Sequence, residues 1–234
     1  MRHLAKHPVP LLLATHAAQW LTEYLEQPSS DTRKHRYRAP EIKQALREET
    51  GWKCVYCESK IGHNTPGDVE HKVPSSKNSS LHFEWSNLTI ACTECNRRKN
   101  DYYEKDTAFL DPYADNVDEM LIHLGPLVYW RPGNERAEVT IRTLELDTMA
   151  RKQLFQQKCD LLEKARNLLE LVARTSGALR DLREDELRRM QEVRSEYSAA
   201  IRAYVVLAMA RVGSTSTQHA AAQQGVAPDC GGIT

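Results

Sequence analysis

The chain has 234 residues, with Lys and Arg totalling 32 against 32 Asp and Glu, 41% hydrophobic residues and 7% aromatic ones. A chain of this length buries roughly 70% of its unfolded surface, so it needs no cross-links to hold a core. The balanced charge gives no sign of a polyanionic partner for the whole molecule and leaves any such reading to a local basic groove. No apolar run approaches the roughly 18 residues that span a bilayer.

The N-terminal stretch PLLLATHAAQWL is interrupted by His16 and Gln19 and lacks a small-residue cleavage signature, so it reads as an amphipathic helix rather than a targeting segment. Its apolar positions, from Leu12 to Leu25, predict a helix over residues 10–26 that stops before Pro28. The basic connector PSSDTRKHRYRAP follows, and His35 within it is a candidate for a phosphate-binding patch. Pro40 at a first-turn position, the stripe Ile42, Ala45 and Leu46, and Gly51 as a stop predict a second helix. Residues 1–50 thus form an N-terminal helical region, and residues 51–105 hold the densest chemistry.

Beyond them, residues 106–147 alternate apolar runs with Pro-Gly and Gly-Asn punctuation. They read as a small β-rich segment with strands near Leu121–His123, Leu127–Trp130 and Val139–Leu144. Residues 148–213 read as an antiparallel helical hairpin: one helix N-capped by Asp147 and ending near Gly177, and a second carrying Leu179, Leu182, Met190, Val193, Tyr197, Ile201 and Tyr204 at three- and four-residue intervals up to Gly213. The small and polar residues 214–234 predict a disordered tail. The class expected is α+β.

With no export signal, the expected compartment is cytoplasmic and reducing, where paired cysteines read as metal ligands rather than disulfides. Cys54 and Cys57 form one CxxC pair and Cys92 and Cys95 a second, while Cys159 and Cys230 stand alone. Each CxxC turns both sulfurs toward one point, and two such turns complete a tetrahedral four-thiolate zinc site. A closed site of that kind has no open position for substrate, so the zinc is structural. Residues 58–91, between the pairs, are where function is to be sought.

That interval and its margin contain DVEHKVP and FEWSNLTIACTECNRRKND. Together with the cysteines, these motifs resemble the HNH, or ββα-metal, endonucleases braced by a zinc ribbon, over about residues 52–101. More widely, YRAPEIKQALREETGWKCVYCESKI, VEHKVPSSK, LDPY and TIRTLELD are similar to HNH proteins found beside an ATPase in Septu-type antiphage defence systems, some linked to retrons.

The resemblance implies that His71 is the general base on the attacking water and that Glu70 is a metal ligand. Consecutive residues of a strand point to opposite faces, so a backbone distortion is expected to bring both to one site. Asn87 takes the middle position of the motif, its amide tying down the loop that carries His71. Asn96 takes the third position as a ligand, and Asn100 is a further candidate ligand. Oxygen donors favour Mg2+ or Mn2+ at this centre. Arg97, Arg98 and Lys99 either bind phosphate, with Arg97 and Lys99 as the substrate-binding candidates, or form a solvated basic helix end.

The implied activity is phosphodiester hydrolysis in DNA or RNA that leaves a 5'-phosphate and a 3'-hydroxyl, with an ATPase as partner and no membrane association. The competing readings are a zinc module that binds nucleic acid without cutting and an adaptor with an inactive HNH site. His63 and His82 match no motif position and read as surface residues. Tyr102 and Tyr103 read as base-stacking or, more simply, as packing against the zinc module.

Overall fold

A computed structural model describes residues 1–62 and 66–223, with side chains described through residue 210. His63 and Cys230 lie outside the described residues. Helix α1 (Leu11–Glu26) starts after Pro10 and ends at Gln27. The basic connector folds into a short helix α2 (Asp31–Lys34) and a 3-10 turn, His35–Arg38. Helix α3 (Pro40–Glu49) begins on the proline, whose fixed φ suits a first helical turn. Ile42 and Leu46 on its inner face are fully buried. Gly51 ends it with φ +64, where a Cβ would sit 2.8 Å from the Arg194 Cα, so only glycine allows the later chain to pass so close.

Strands β1 (Asp68–His71) and β2 (Leu88–Ala91) pair antiparallel, one residue to one from Asp68↔Ala91 to His71↔Leu88. Gly67 leads into β1 with φ +69, and a Cβ there would meet Ile61 Cδ1 at 2.8 Å. Helix α4 (Thr93–Lys99) follows β2 directly, completing a ββα unit. Cys92 is its N-cap, with Sγ accepting from the Cys95 N–H.

A short helix α5 (Val117–Met120) precedes the hairpin of β3 (Leu121–Leu124) and β4 (Leu127–Trp130). The third strand expected at Val139–Leu144 is instead part of helix α6 (Glu135–Thr143). The Asn134 side chain accepts from the Ala137 N–H as a cap, and Ala137, Thr140, Ile141 and Leu144 lie fully buried at three- and four-residue spacing. Burial of a helical face outweighs the β-branched composition that suggested a strand.

Helix α7 (Lys152–Ala173) is capped at Arg151, four residues after the Asp147 cap expected for it, and ends before Gly177. The expected second helix is divided into α8 (Gly177–Met190) and α9 (Ser198–Gln223), both packed on α7. The break at residues 191–197 contains Tyr197 at φ +51. It is pinned to the first cysteine pair: Lys53 Nζ donates to Ser195 O at 2.9 Å and to Glu58 Oε1 at 3.0 Å, and the Ser198 hydroxyl donates to the same carboxylate. Tertiary contacts of this kind are invisible in the apolar periodicity, which runs through the break unchanged. Helix α9 also continues to Gln223, into the stretch read as a disordered tail; the rest of that stretch lies outside the described residues.

One large core joins α1, α3, the ββα unit, the hairpin and α6, and a second cluster of Leu162, Ala165, Leu168, Leu187, Ile201 and Val205 holds α7–α9 together. Among the described residues no helix is long and apolar enough to cross a membrane.

Candidate functional site

The Sγ atoms of Cys54, Cys57, Cys92 and Cys95 all lie within 4.8 Å of one another, with Cys57 and Cys92 3.8 Å apart. Tetrahedral zinc with Zn–S near 2.3 Å separates its sulfurs by about 3.8 Å, so four cysteines at this spacing, three buried and Cys92 half-buried, suit a structural zinc. The first pair sits on a tight knuckle closed by Cys54 N–H to Ser59 O at 2.9 Å and Glu58 N–H to Cys54 O at 3.0 Å. The second pair straddles the start of α4, where the cap geometry itself brings the sulfurs together. From α7's N-cap, the Arg151 guanidinium reaches Cys95 Sγ at 3.3 Å and Leu144 O at 3.1 Å. Sequence reasoning gave Arg151 no role, and its distance along the chain from every cysteine leaves no local signal.

On the other side of α4 a cleft of about 500 Å3 gathers Glu70, His71, Asn96, Arg97 and Asn100. The connector supplies its far wall through Lys34, His35, Tyr37 and Arg38. Glu70 and His71 reach the cleft from the last two positions of β1, where the ladder register is regular, so the expected distortion is absent. The two side chains stand on opposite faces of the strand and the cleft wraps around its end. Glu70 meets α4, while His71 meets the connector and the loop before β2.

Three groups hold the His71 imidazole. Its Nε2 is 2.8 Å from His82 O, its ring stacks on His82 at 4.8 Å with an interplanar angle of 13°, and Tyr37 packs edge-on at 4.6 Å. Burial lowers its pKa to about 4, so the ring is neutral near pH 7. A neutral ring facing a carbonyl through Nε2 carries its proton there, which leaves the Nδ1 lone pair as the acceptor.

His82, read as a surface residue, is in fact almost fully buried. Its Nε2 donates to Lys34 O at 2.7 Å, its Nδ1 accepts from the Ser75 hydroxyl at 2.5 Å, and Tyr24 stacks on its outer face at 4.2 Å. No sequence signal marks it, since its burial depends on residues from α1, α2 and β1. Asn87 lies beneath the cleft rather than in it. Its amide donates to Val73 O and Leu81 O, at 3.0 and 3.1 Å, and its Oδ1 accepts from the Val73 N–H at 2.8 Å. One side chain thereby clasps both ends of the loop from Val73 to Leu81.

Glu70 is buried, and burial pushes its carboxyl up to about 7 against the pull of the Lys99 ammonium. Lys99 Nζ sits 2.5 Å from Glu70 Oε1 and donates to His71 O at 2.9 Å. The ammonium meets Oε1 at ion-pair distance but off a hydrogen-bonding direction, which leaves that buried oxygen without an aligned donor. Lys99 was expected at the substrate; it is instead buried behind the cleft, on the same face of α4 as Cys95, four residues earlier. Arg97 lies on the exposed rim and pairs with Glu94. Asn96 is half-buried, and Asn100 is exposed as the C-cap of α4 at φ +49. The Glu70 carboxyl and the two carboxamides gathered at one cleft are hard oxygen donors, a set that fits Mg2+ or Mn2+. Tyr102 packs on Phe109 and donates toward Thr107, away from the cleft.

Residues 54–102 match the HNH endonuclease family model, and that match spans the ββα unit together with its four cysteines. The chain is also 29% identical over 178 residues to the Septu protein PtuB of Bacillus thuringiensis, an alignment covering 74% of this chain and 65% of that protein.

Proposed function

We propose that the chain is a metal-dependent HNH endonuclease hydrolysing phosphodiester bonds in nucleic acid. The observation that carries this reading is the His71 imidazole, kept neutral by burial and held with Nε2 on a carbonyl at the edge of a cleft that also collects Glu70 and Asn96. Nδ1 accepts a proton from the attacking water, and the His82 and Tyr37 rings prevent the imidazole from turning away. Glu70 and Asn96, with Asn100 at the rim, would hold Mg2+ or Mn2+. When bound, such an ion supplies Lewis-acid stabilisation to the phosphate and the leaving oxygen. Arg97 orients phosphate from the rim, and Asn87 keeps the loop beside His71 in place. The four cysteines hold a structural zinc that fixes α4.

The similarity to a Septu protein supports a role in antiphage defence, with an ATPase as the partner implied by the family resemblance. That pairing is tested by co-purification with a candidate ATPase and its loss on deleting residues 148–213. The chemistry is tested by incubating the protein with supercoiled plasmid and with total tRNA in Mg2+, Mn2+ or EDTA, beside His71→Ala. Metal-dependent cleavage lost in the variant is expected. A His71→Ala protein that matches the parent would favour a module that binds nucleic acid without cutting.

A further inference from the structure

The basic connector carries Arg33, Lys34, Arg36 and Arg38, and the fold sorts them into two pairs. Arg33 is committed to Glu26 Oε2 at 3.8 Å and Glu23 O at 2.8 Å, and Arg36 to Glu23 Oε2 at 2.5 Å. Lys34 and Arg38 are exposed in the cleft wall, and among the described residues neither has a carboxylate at ion-pair distance.

The backbone of Lys34 and the side chain of Arg38 are nonetheless held in place relative to the candidate base. The Lys34 carbonyl accepts from His82, which stacks on His71. The Arg38 guanidinium lies 5.4 Å over the ring of Tyr37, the residue that packs edge-on to His71, and its Nε contacts the Tyr37 hydroxyl at 3.2 Å. The wall is continuous with a shallow groove of about 410 Å3 that shares His35 and Arg38 with the cleft and is floored by Leu12 and Trp20. Cations left unpaired on a rigid wall beside a reactive group suit a polyanion, because each can neutralise a phosphate without first breaking an internal pair.

We infer that the substrate strand leaves the cleft across Lys34 and Arg38 and follows this groove, with the two cations holding phosphates that flank the scissile one. The inference rests on the nuclease reading and adds the direction in which the strand runs. Phosphate contacts position a strand without reading its sequence, so the grip is sequence-independent.

The test measures binding of single-stranded and hairpin DNA oligonucleotides of unrelated sequence, in EDTA across a salt series. The host is full-length His71→Ala protein, with Lys34→Gln and Arg38→Gln added singly and together. The double variant is expected to weaken binding about tenfold or more on every sequence and to reduce the slope of log K against log salt by about 1 to 2, as the loss of two phosphate contacts requires. Arg180→Gln, on α8 far along the chain, is expected to leave affinity and slope unchanged. An unaltered affinity and slope in the double variant, with the parent still cutting nucleic acid, would sink the track and leave the nuclease reading intact. Equal weakening by Arg180→Gln would reduce the effect to net charge and overturn the track as well. Failure of the parent protein both to bind and to cut would overturn the track and the nuclease reading together.

Discussion

The ββα unit with its cysteine knuckles and the α7–α9 bundle are held together by opposite means. In the bundle the buried cluster is apolar, through Leu162, Ala165, Leu168, Leu187 and Ile201; Lys158 is the buried exception, donating to Pro126 O at 3.1 Å, while most charges sit outside in pairs such as Lys164–Glu186 and Arg180–Glu184, both at 2.8 Å. In the ββα unit the buried set includes Lys53, Glu58, Glu70, His82, Asn87 and Lys99. Burying polar and charged groups is unfavourable unless each finds a partner. Here the partners are one another and the backbone, and the four cysteines stand at a spacing that suits a shared zinc. The bundle is stable because of what it removes from water; the ββα unit keeps its shape because its buried polar groups find partners within the fold, and the same contacts aim His71.

If that contrast is right, the largest effect follows from breaking the brace. Cys95→Ser is expected to abolish zinc retention and, since binding a structural zinc contributes on the order of 10 kcal/mol to such small units, to unfold the ββα unit. Hydrogen exchange should show lost protection of the β1–β2 amides with α7 still protected; protected β1–β2 amides in a zinc-free variant would argue that the apolar core alone suffices.

Next comes His71→Ala, for which a loss of about 10²- to 10⁴-fold in cleavage rate is expected, with binding of nucleic acid retained. Lys99→Met leaves Glu70 buried beside no cation and is expected to destabilise by about 3 to 5 kcal/mol in chemical denaturation. Adding Glu70→Gln should recover much of that loss. A double variant no better than the single one would show that Lys99 matters for packing rather than for charge.

A smaller effect is expected for Arg151→Ala: about 10- to 100-fold weaker zinc retention in competition with a chromophoric chelator, the usual size for a group that supports metal ligands without binding the metal. At the bottom of the scale, Arg180→Ala on α8 is expected to leave the denaturation midpoint where it was, because its ion pair is solvent-exposed.

Much of the ββα unit was legible because its chemistry is spelled in short spacings. Two CxxC pairs, adjacent Glu70 and His71, and Asn96 directly after Cys95 each place their side chains through local geometry. Helices α1 and α3 were legible from apolar stripes and prolines. The residues that escaped act across the chain. His82 is buried by Tyr24 and His71, from elements its own neighbours do not announce, and Arg151 reaches the cysteines from beyond the hairpin. Lys99 is the instructive miss: it stands four residues after a buried cysteine on one helix, a spacing that points it inward, yet its charge and its company of Arg97 and Arg98 suggested a phosphate contact or a solvated helix end. The break before α9 was hidden because Met190, Val193 and Tyr197 keep helical spacing through a segment whose backbone is bent by its contacts with Lys53 and Glu58.

The position of Cys92 as the N-cap of α4, with Cys95 in its first turn and Asn96 next, has a consequence for how the protein is made. Translation delivers Cys54, Cys57, Glu70, His71 and Asn87 first, then the last two cysteines, and only afterwards Asn96. The first of the two cleft asparagines on α4 therefore enters the growing chain one peptide bond after the brace has all its sulfurs. A truncated product of the ribosome that ends anywhere before Cys95 lacks Cys95 and Asn96 alike, so a fragment without the full brace never carries the full set of candidate site residues.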